Sequence, residues 1–252
     1  MIRESAIRER AIQERAFRWI AVVVCVLVSG SLPQSSAAAT TAPAFTRTLY
    51  LIRHGAYVPD PKADPVAGPS LTPLGLAQAR LVGARLRGLP VHFDSLTSST
   101  MTRARETAAV IHDSLPDVPL AQNALLSECG PQTWRDKMAA PTPENLQCQR
   151  NVDEAFKTYF TPATQADRHD IVVAHGNVIR YLVTKALGVD TRSWLGMSIA
   201  HASLTIIKVR PDGSVTIIAV GDIGHIPPNL QSWGTEDDPQ LVTPATGLKP
   251  AT

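Results

Sequence analysis

The hydrophobic pattern switches repeatedly between two periods. Residues 48–53 are almost continuously apolar until the last position, as in a strand covered on both faces within a parallel sheet. A loop over residues 55–70, holding four prolines, follows. Thr72 and Pro73 then give an N-cap and first-turn signal for a helix running up to Gly88, with Leu74, Ala77, Leu81 and Ala84 at helical spacing. The same alternation recurs: residues 92–98 predict a second strand, and residues 103–114 a helix with Ala104, Ala108, Ile111 and Leu115 on one face. Thr142 and Pro143 open another helix reaching about Phe160. Residues 170–174 read as a strand, and residues 177–187 as a helix with Ile179, Leu182, Val183 and Ala186 inward. Residues 203–209 and 214–220 flank Pro211-Asp212-Gly213 and predict a hairpin. Strands alternating with helices argue an α/β layered domain with a largely parallel sheet and an antiparallel C-terminal hairpin.

With 252 residues, 44% of them hydrophobic, one sizeable core is affordable and one globular domain is the default. The formal charge of +2 comes from residues 1–18, which hold five Arg and three Glu; without them acids and bases balance. No basic field remains for nucleic acid. After that Arg-rich segment come ten uncharged, mostly apolar residues, 19–28, and then small residues with Ala37 and Ala39 in an A-x-A arrangement. This reads as a secretory signal peptide over residues 1–39, with export to a periplasm or the exterior expected. Ten residues fall short of the roughly 17 to 25 of a membrane-spanning helix, so membrane contact is expected only if the leader is retained as an anchor. The acids in the leader disfavour an organelle transit peptide. Residues 40–46 read as a linker, and the polar, Pro-rich residues 230–252 as a disordered tail. Beyond the leader the cysteines are Cys129 and Cys148; a disulfide is open to them, and two separately buried thiols are the favoured reading.

In open α/β folds, ligands bind beyond the carboxyl ends of the strands. Three strand-to-helix junctions place unusual residues there: Arg53-His54-Gly55, the run from Ser98 to Arg103, and His175-Gly176-Asn177. Two guanidiniums and two imidazoles beside a helix N-terminus suit a tetrahedral dianion, because arginine forks match phosphate oxygens and free backbone N–H groups add partial positive charge. A neutral imidazole can attack phosphorus, and neighbouring arginines keep it neutral. Gly55 lets the backbone turn sharply beside the phosphate. Glu128, after the next apolar run, is the acid available to protonate a leaving alkoxide and then activate water. Taken singly, each residue has an ordinary structural explanation; their conjunction points to phosphoryl transfer.

These motifs resemble the histidine phosphatase superfamily, also called phosphoglycerate mutase-like: LIRHG at 51–55, SSTMTRARETA at 98–108, Glu128 and AHGN at 174–177. The resemblance covers about residues 47–229 and implies a catalytic domain there, a three-layer doubly wound, mostly parallel sheet with the C-terminal hairpin antiparallel. It implies His54 as phosphorylated nucleophile, Glu128 and His175 as its catalytic partners, and Arg53, Arg103, Gly55 and Asn177 as the substrate-binding set, with no metal or other cofactor. Within the superfamily the likeness is greatest to the mitochondrial serine/threonine protein phosphatases of the phosphoglycerate mutase family. The leader departs from them, so their location and physiological substrate are not expected to transfer. The expected activity is a metal-independent phosphomonoesterase acting on phosphoprotein or small phosphoesters. The alternatives are a phosphoglycerate-type mutase and a non-catalytic phosphate-binding scaffold. The mutase is disfavoured because Ala56-Tyr57-Val58 replaces the mutase-type continuation and the lid after Glu128 is short. His92, His112 and His169 read as structural or solvated, whereas His201 and His225 are candidates for the mouth of the expected pocket.

Overall fold

A computed structural model describes residues 45–134 and 141–233 of the chain. The proposed leader, most of the linker and the tail beyond Trp233 lie outside the described residues. In chain order the elements are strand β1 (Arg47–Arg53), helix α1 (Pro73–Arg87), β2 (Ser95–Ser98), α2 (Thr102–Ser114), β3 (Leu120–Gln122), α3 (Pro143–Tyr159), β4 (Arg168–Ala174), α4 (Gly176–Ala186), β5 (Leu204–Val209) and β6 (Val215–Asp222).

The six strands form one sheet in the order β3-β2-β4-β1-β5-β6. β1, β2, β3 and β4 pair in parallel, whereas β5 runs antiparallel to β1 and β6 antiparallel to β5. β1 is therefore central, and its period-2 alternation serves two cores. Leu49 and Leu51 pack with Val152, Ala155, Ile179 and Leu182 from α3 and α4. Tyr50 and Ile52 pack with Val82, Leu86, Ala104 and Ile111 from α1 and α2 on the opposite face. Each such side chain, fully buried, contributes about 1.5–3 kcal/mol, which is why the strand reads as an unbroken apolar run.

Local signals placed the helix ends. The Thr72 hydroxyl accepts from Gly75 N and Pro73 sits in the first turn of α1. Thr142 and Asn145 form a reciprocal capping box at the start of α3. The buried face of α1 differs from expectation: Gly75, Gln78, Ala79, Val82, Gly83 and Leu86 point inward, not Leu74, Ala77, Leu81 and Ala84. Close approach decides this, because a Cβ on Gly75 would run into the Ala56 backbone and one on Gly83 would meet Ser114 of α2. The helix turns its smallest residues toward its neighbours and leaves its leucine stripe half covered.

β2 is shorter than the expected 92–98, and β3 is an added edge strand of three residues, all exposed. Leu230 and Ser232, assigned to the tail, are bound to the body: Gln78 Nε2 donates to Leu230 O at 2.7 Å and to Ser232 Oγ at 3.0 Å. Cys129 and Cys148 are joined by a disulfide with Cα atoms 5.6 Å apart, so the reading of two separate thiols is corrected. The bridge fastens the loop after Leu126 to α3.

Candidate active site

The carboxyl ends of β1, β2 and β4 bring the three junctions together. His54 N donates to Ala174 O at 3.0 Å, extending the β1–β4 pairing by one residue and fixing the imidazole at the sheet edge. Gly55 N donates to the Thr107 hydroxyl at 3.0 Å, and Ala56 N to Gln78 Oε1 at 2.9 Å. The chain leaves the sheet through Gly55, where a Cβ would collide with the Gly75 carbonyl of α1. Glycine at both positions is what lets helix and loop touch backbone to backbone.

His54 is 1% exposed. Its Nδ1 lies 2.8 Å from Gly55 O, an acceptor only, so Nδ1 carries the ring proton and Nε2 the lone pair. Arg103 Nε donates to that lone pair at 3.0 Å. Burial holds the His54 pKa well below the usual histidine value, and His175, Arg53, Arg103 and His201 push it further down. The result is a neutral imidazole whose lone pair is on Nε2.

Arg53 and Arg103 flank it, both nearly inaccessible. Arg53 Nη1 donates to Ile199 O at 2.5 Å, and its guanidinium lies against Gly176, where a Cβ would sit 3.5 Å from Cζ. Burial lowers the Arg53 pKa to about 10, so it stays charged at neutral pH. The Arg103 guanidinium lies 4.7 Å over the Tyr57 ring, which in turn meets the His54 ring edge-on at 5.3 Å. Tyr57 thus forms a wall against both the Arg103 guanidinium and the His54 ring.

His175 caps α4 without a side-chain cap bond, leaving the first N–H groups of that helix directed at the site. Its Nε2 lies 2.8 Å from Ser99 Oγ, and its ring centre is 5.0 Å from that of His54. Burial and the two arginines keep it neutral as well.

Glu128 is half-buried, facing Arg53, Arg103 and Arg180. Desolvation raises its pKa above the usual carboxylate range, outweighing the opposing pull of those arginines and of the Cys129 N–H bond. Among the attachments that hold its loop are the disulfide, Asn145 Nδ2 to Gly130 O at 2.8 Å, Asn177 Nδ2 to Cys129 O at 3.3 Å, and Trp194 Nε1 to Gln132 O at 3.2 Å. The Asn177 side chain, expected at substrate, is occupied as an anchor of the acid loop and accepts from Arg180 Nη1 at 3.4 Å.

His201 is brought beside the nucleophile, 5.5 Å between ring centres. His225 is not: Nε2 donates to Ala202 O at 3.0 Å and Nδ1 accepts from Arg85 at 3.0 Å, so it props the turn behind the site. His169, bonded to the Tyr50 hydroxyl at the start of β4, is structural. Arg180 and Gln78 were missed in the sequence, although each shows a signal in retrospect: a lone charge inside the apolar run of α4, and a polar residue 0% exposed on the inner face of α1. Among the described residues, no cluster of His, Cys, Asp and Glu is placed to hold a metal ion.

Comparison with known proteins agrees with this geometry. The family model of the histidine phosphatase superfamily, branch 1, matches residues 49–168 and 132–222. Serine/threonine-protein phosphatase Pgam5, mitochondrial, of Caenorhabditis elegans is 38% identical over 199 residues, covering 75% of this chain and 67% of that protein. The Homo sapiens protein of the same name is 36% identical over 190 residues, with 73% and 65% covered. Bacillus stearothermophilus YhfR superposes with a TM-score of 0.57 at 24% identity, over 72% of this chain and all of that one, and shares the fold. The relatives' names place them in mitochondria, which overturns the expectation of an exported, periplasmic or secreted protein built on a signal peptide. That expectation rested on an Arg-rich leader, a feature signal and transit peptides share. With the family model spanning most of the described fold and both relatives named as phosphatases, the chain belongs to the histidine phosphatase superfamily and is a phosphatase.

Proposed function

We propose that the protein hydrolyses phosphomonoesters in two displacements on His54, with phosphoserine or phosphothreonine of proteins as the substrate class and small phosphoesters as further substrates. The observation that carries this reading is the defined lone pair on a buried, neutral His54 Nε2, faced by Arg103 Nε. An incoming phosphoryl group brings oxygens that take over the Arg103 hydrogen bond and free that lone pair. Arg53, Arg103, His175 and the N-terminus of α4 hold the equatorial oxygens.

In the first step the Nε2–P bond forms and the P–O ester bond breaks, its electron pair going to the leaving oxygen. Glu128, kept protonated to higher pH by desolvation, supplies the proton. In the second step Glu128 takes a proton from water as the water oxygen bonds phosphorus and the Nε2–P bond breaks, releasing phosphate. Protein substrates are supported by the names of the relatives at 36% and 38% identity.

Incubation with a 32P-labelled phosphopeptide and rapid acid-free quenching should trap label that is base-stable and acid-labile. His54→Ala should abolish both label and turnover; turnover surviving in that variant would remove His54 from the mechanism. Label passing to a second phosphoglycerate position faster than to water would instead favour the mutase.

A further inference from the structure

We propose that His201 is a further substrate-contacting residue of the phosphatase: a neutral hydrogen-bond donor to the transferring phosphoryl group, placed beside His54. The imidazole is 2% exposed, its ring centre 5.5 Å from that of His54 and 6.1 Å from that of Tyr57. Its Nδ1 lies 2.9 Å from Ser232 Oγ, whereas Nε2 is buried and has no hydrogen-bond partner among the described residues.

The position of the ring proton follows from a chain of fixed donors. Ala56 N–H donates to Gln78 Oε1 at 2.9 Å, which makes Nε2 the donor end of that amide. Gln78 Nε2 gives one hydrogen to Leu230 O at 2.7 Å and the other to Ser232 Oγ at 3.0 Å. The Ser232 hydroxyl accepts from Gln78, which leaves its own hydrogen available for His201 Nδ1. With Nδ1 accepting that hydrogen, Nε2 carries the proton: a buried N–H beside His54 with no acceptor among the described residues.

His175 is built the same way. Ser99 Oγ accepts from Met101 N at 3.2 Å, which leaves its hydrogen available for His175 Nε2 at 2.8 Å, and the buried Nδ1 has no partner among the described residues. Two imidazoles, each bonded to a serine hydroxyl, thus stand with their ring centres 5.0 and 5.5 Å from that of His54. A buried, unpaired donor is costly in a fold, and a ligand oxygen repays it. Burial, with Arg53 and Arg103 adding to it, lowers the His201 pKa to about 2, so it donates without bringing another cation against His54. The backbone is committed to this placement: Ala202, the next residue, has φ of 51°, and its N–H reaches the carbonyl oxygens of Arg53 and His54.

The inference rests on the pocket being the phosphoryl site, so the test uses inorganic phosphate as a competitive inhibitor of aryl phosphate hydrolysis by the full chain. His201→Ala should raise the phosphate Ki and lower kcat/KM, each by about 10- to 100-fold. His201→Gln, which keeps a side-chain N–H, should recover part of both losses, and Ser232→Ala should give a smaller loss by freeing the ring. If His201→Ala fails to fold, Ser232→Ala and His201→Gln decide by the same two constants. Wild-type Ki and kcat/KM in folded His201→Ala, or a glutamine variant no better than the alanine one, would overturn the role of His201. Wild-type enzyme indifferent to phosphate would overturn the pocket reading beneath it.

Discussion

Arg103 Nε donates to His54 Nε2 across 3.0 Å, joining a guanidinium on α2 to the reactive atom at the end of β1. One cation therefore adds to the forces that keep His54 neutral, and under the proposed function it also stands where phosphoryl oxygens would arrive. Arg103→Lys keeps the charge but loses the planar fork and the stacking on Tyr57. It should reduce kcat/KM for an aryl phosphate by about 100-fold or more, on the scale of losing one preorganised oxyanion donor. Steady-state kinetics on the purified variant check this, and a loss below threefold would contradict it.

Glu128 sits in a desolvated place that costs the fold stability, which suits the acid role proposed for it. Its raised pKa means the folded protein holds that proton to higher pH than the unfolded chain does. Stability associated with it is greatest below the ordinary carboxylate pKa and falls as pH rises through the window up to the raised value. Glu128→Gln should therefore melt higher than the wild type at pH 7 and lose that advantage near pH 4. The same variant should slow hydrolysis of alkyl phosphates far more than that of nitrophenyl esters, whose leaving group needs no proton. Melting curves across pH, with both substrate types, test the two halves separately.

The disulfide ties the residue next to Glu128 to the buried face of α3, at a sequence separation of 19. Closing a loop of that length contributes about 3 kcal/mol through the unfolded state. Cys148→Ser, or reduction of the wild type, should lower the melting temperature and kcat together. Unchanged kcat in the reduced protein would show that the noncovalent bonds of the loop, those of Asn177, Asn145 and Trp194 among them, hold Glu128 without the bridge.

Gly75 is remote from the chemistry but sets the exit of the nucleophile loop. Gly75→Ala drives a methyl into the Ala56 backbone and shifts the Thr72 N–H···O=C Ala56 bond of 2.9 Å. Activity should fall by more than tenfold even though alanine favours helix by about 1 kcal/mol over glycine. A more stable, fully active variant would refute the close-contact argument.

The strands, the helix ends and the three junctions were readable from the chain because they depend on neighbours in sequence: period-2 and period-3.6 patterns, Thr-Pro starts at 72–73 and 142–143, and polar residues where apolar runs stop. Arg53, His54, Arg103, Glu128 and His175 stand at one edge because parallel topology sends those ends there. Other features had no local signature. The inward face of α1 was settled by backbone contact with residues about twenty positions earlier, which overrode the leucine stripe. His201 and His225 look alike in sequence, yet one faces His54 and the other props a turn. The proton on His201 depends on Gln78 meeting Ser232, residues 154 positions apart. Periodicity and capping are short-range preferences and can be read along the chain, whereas tautomers, desolvation and the choice between equivalent histidines arise only when distant groups share one dry space.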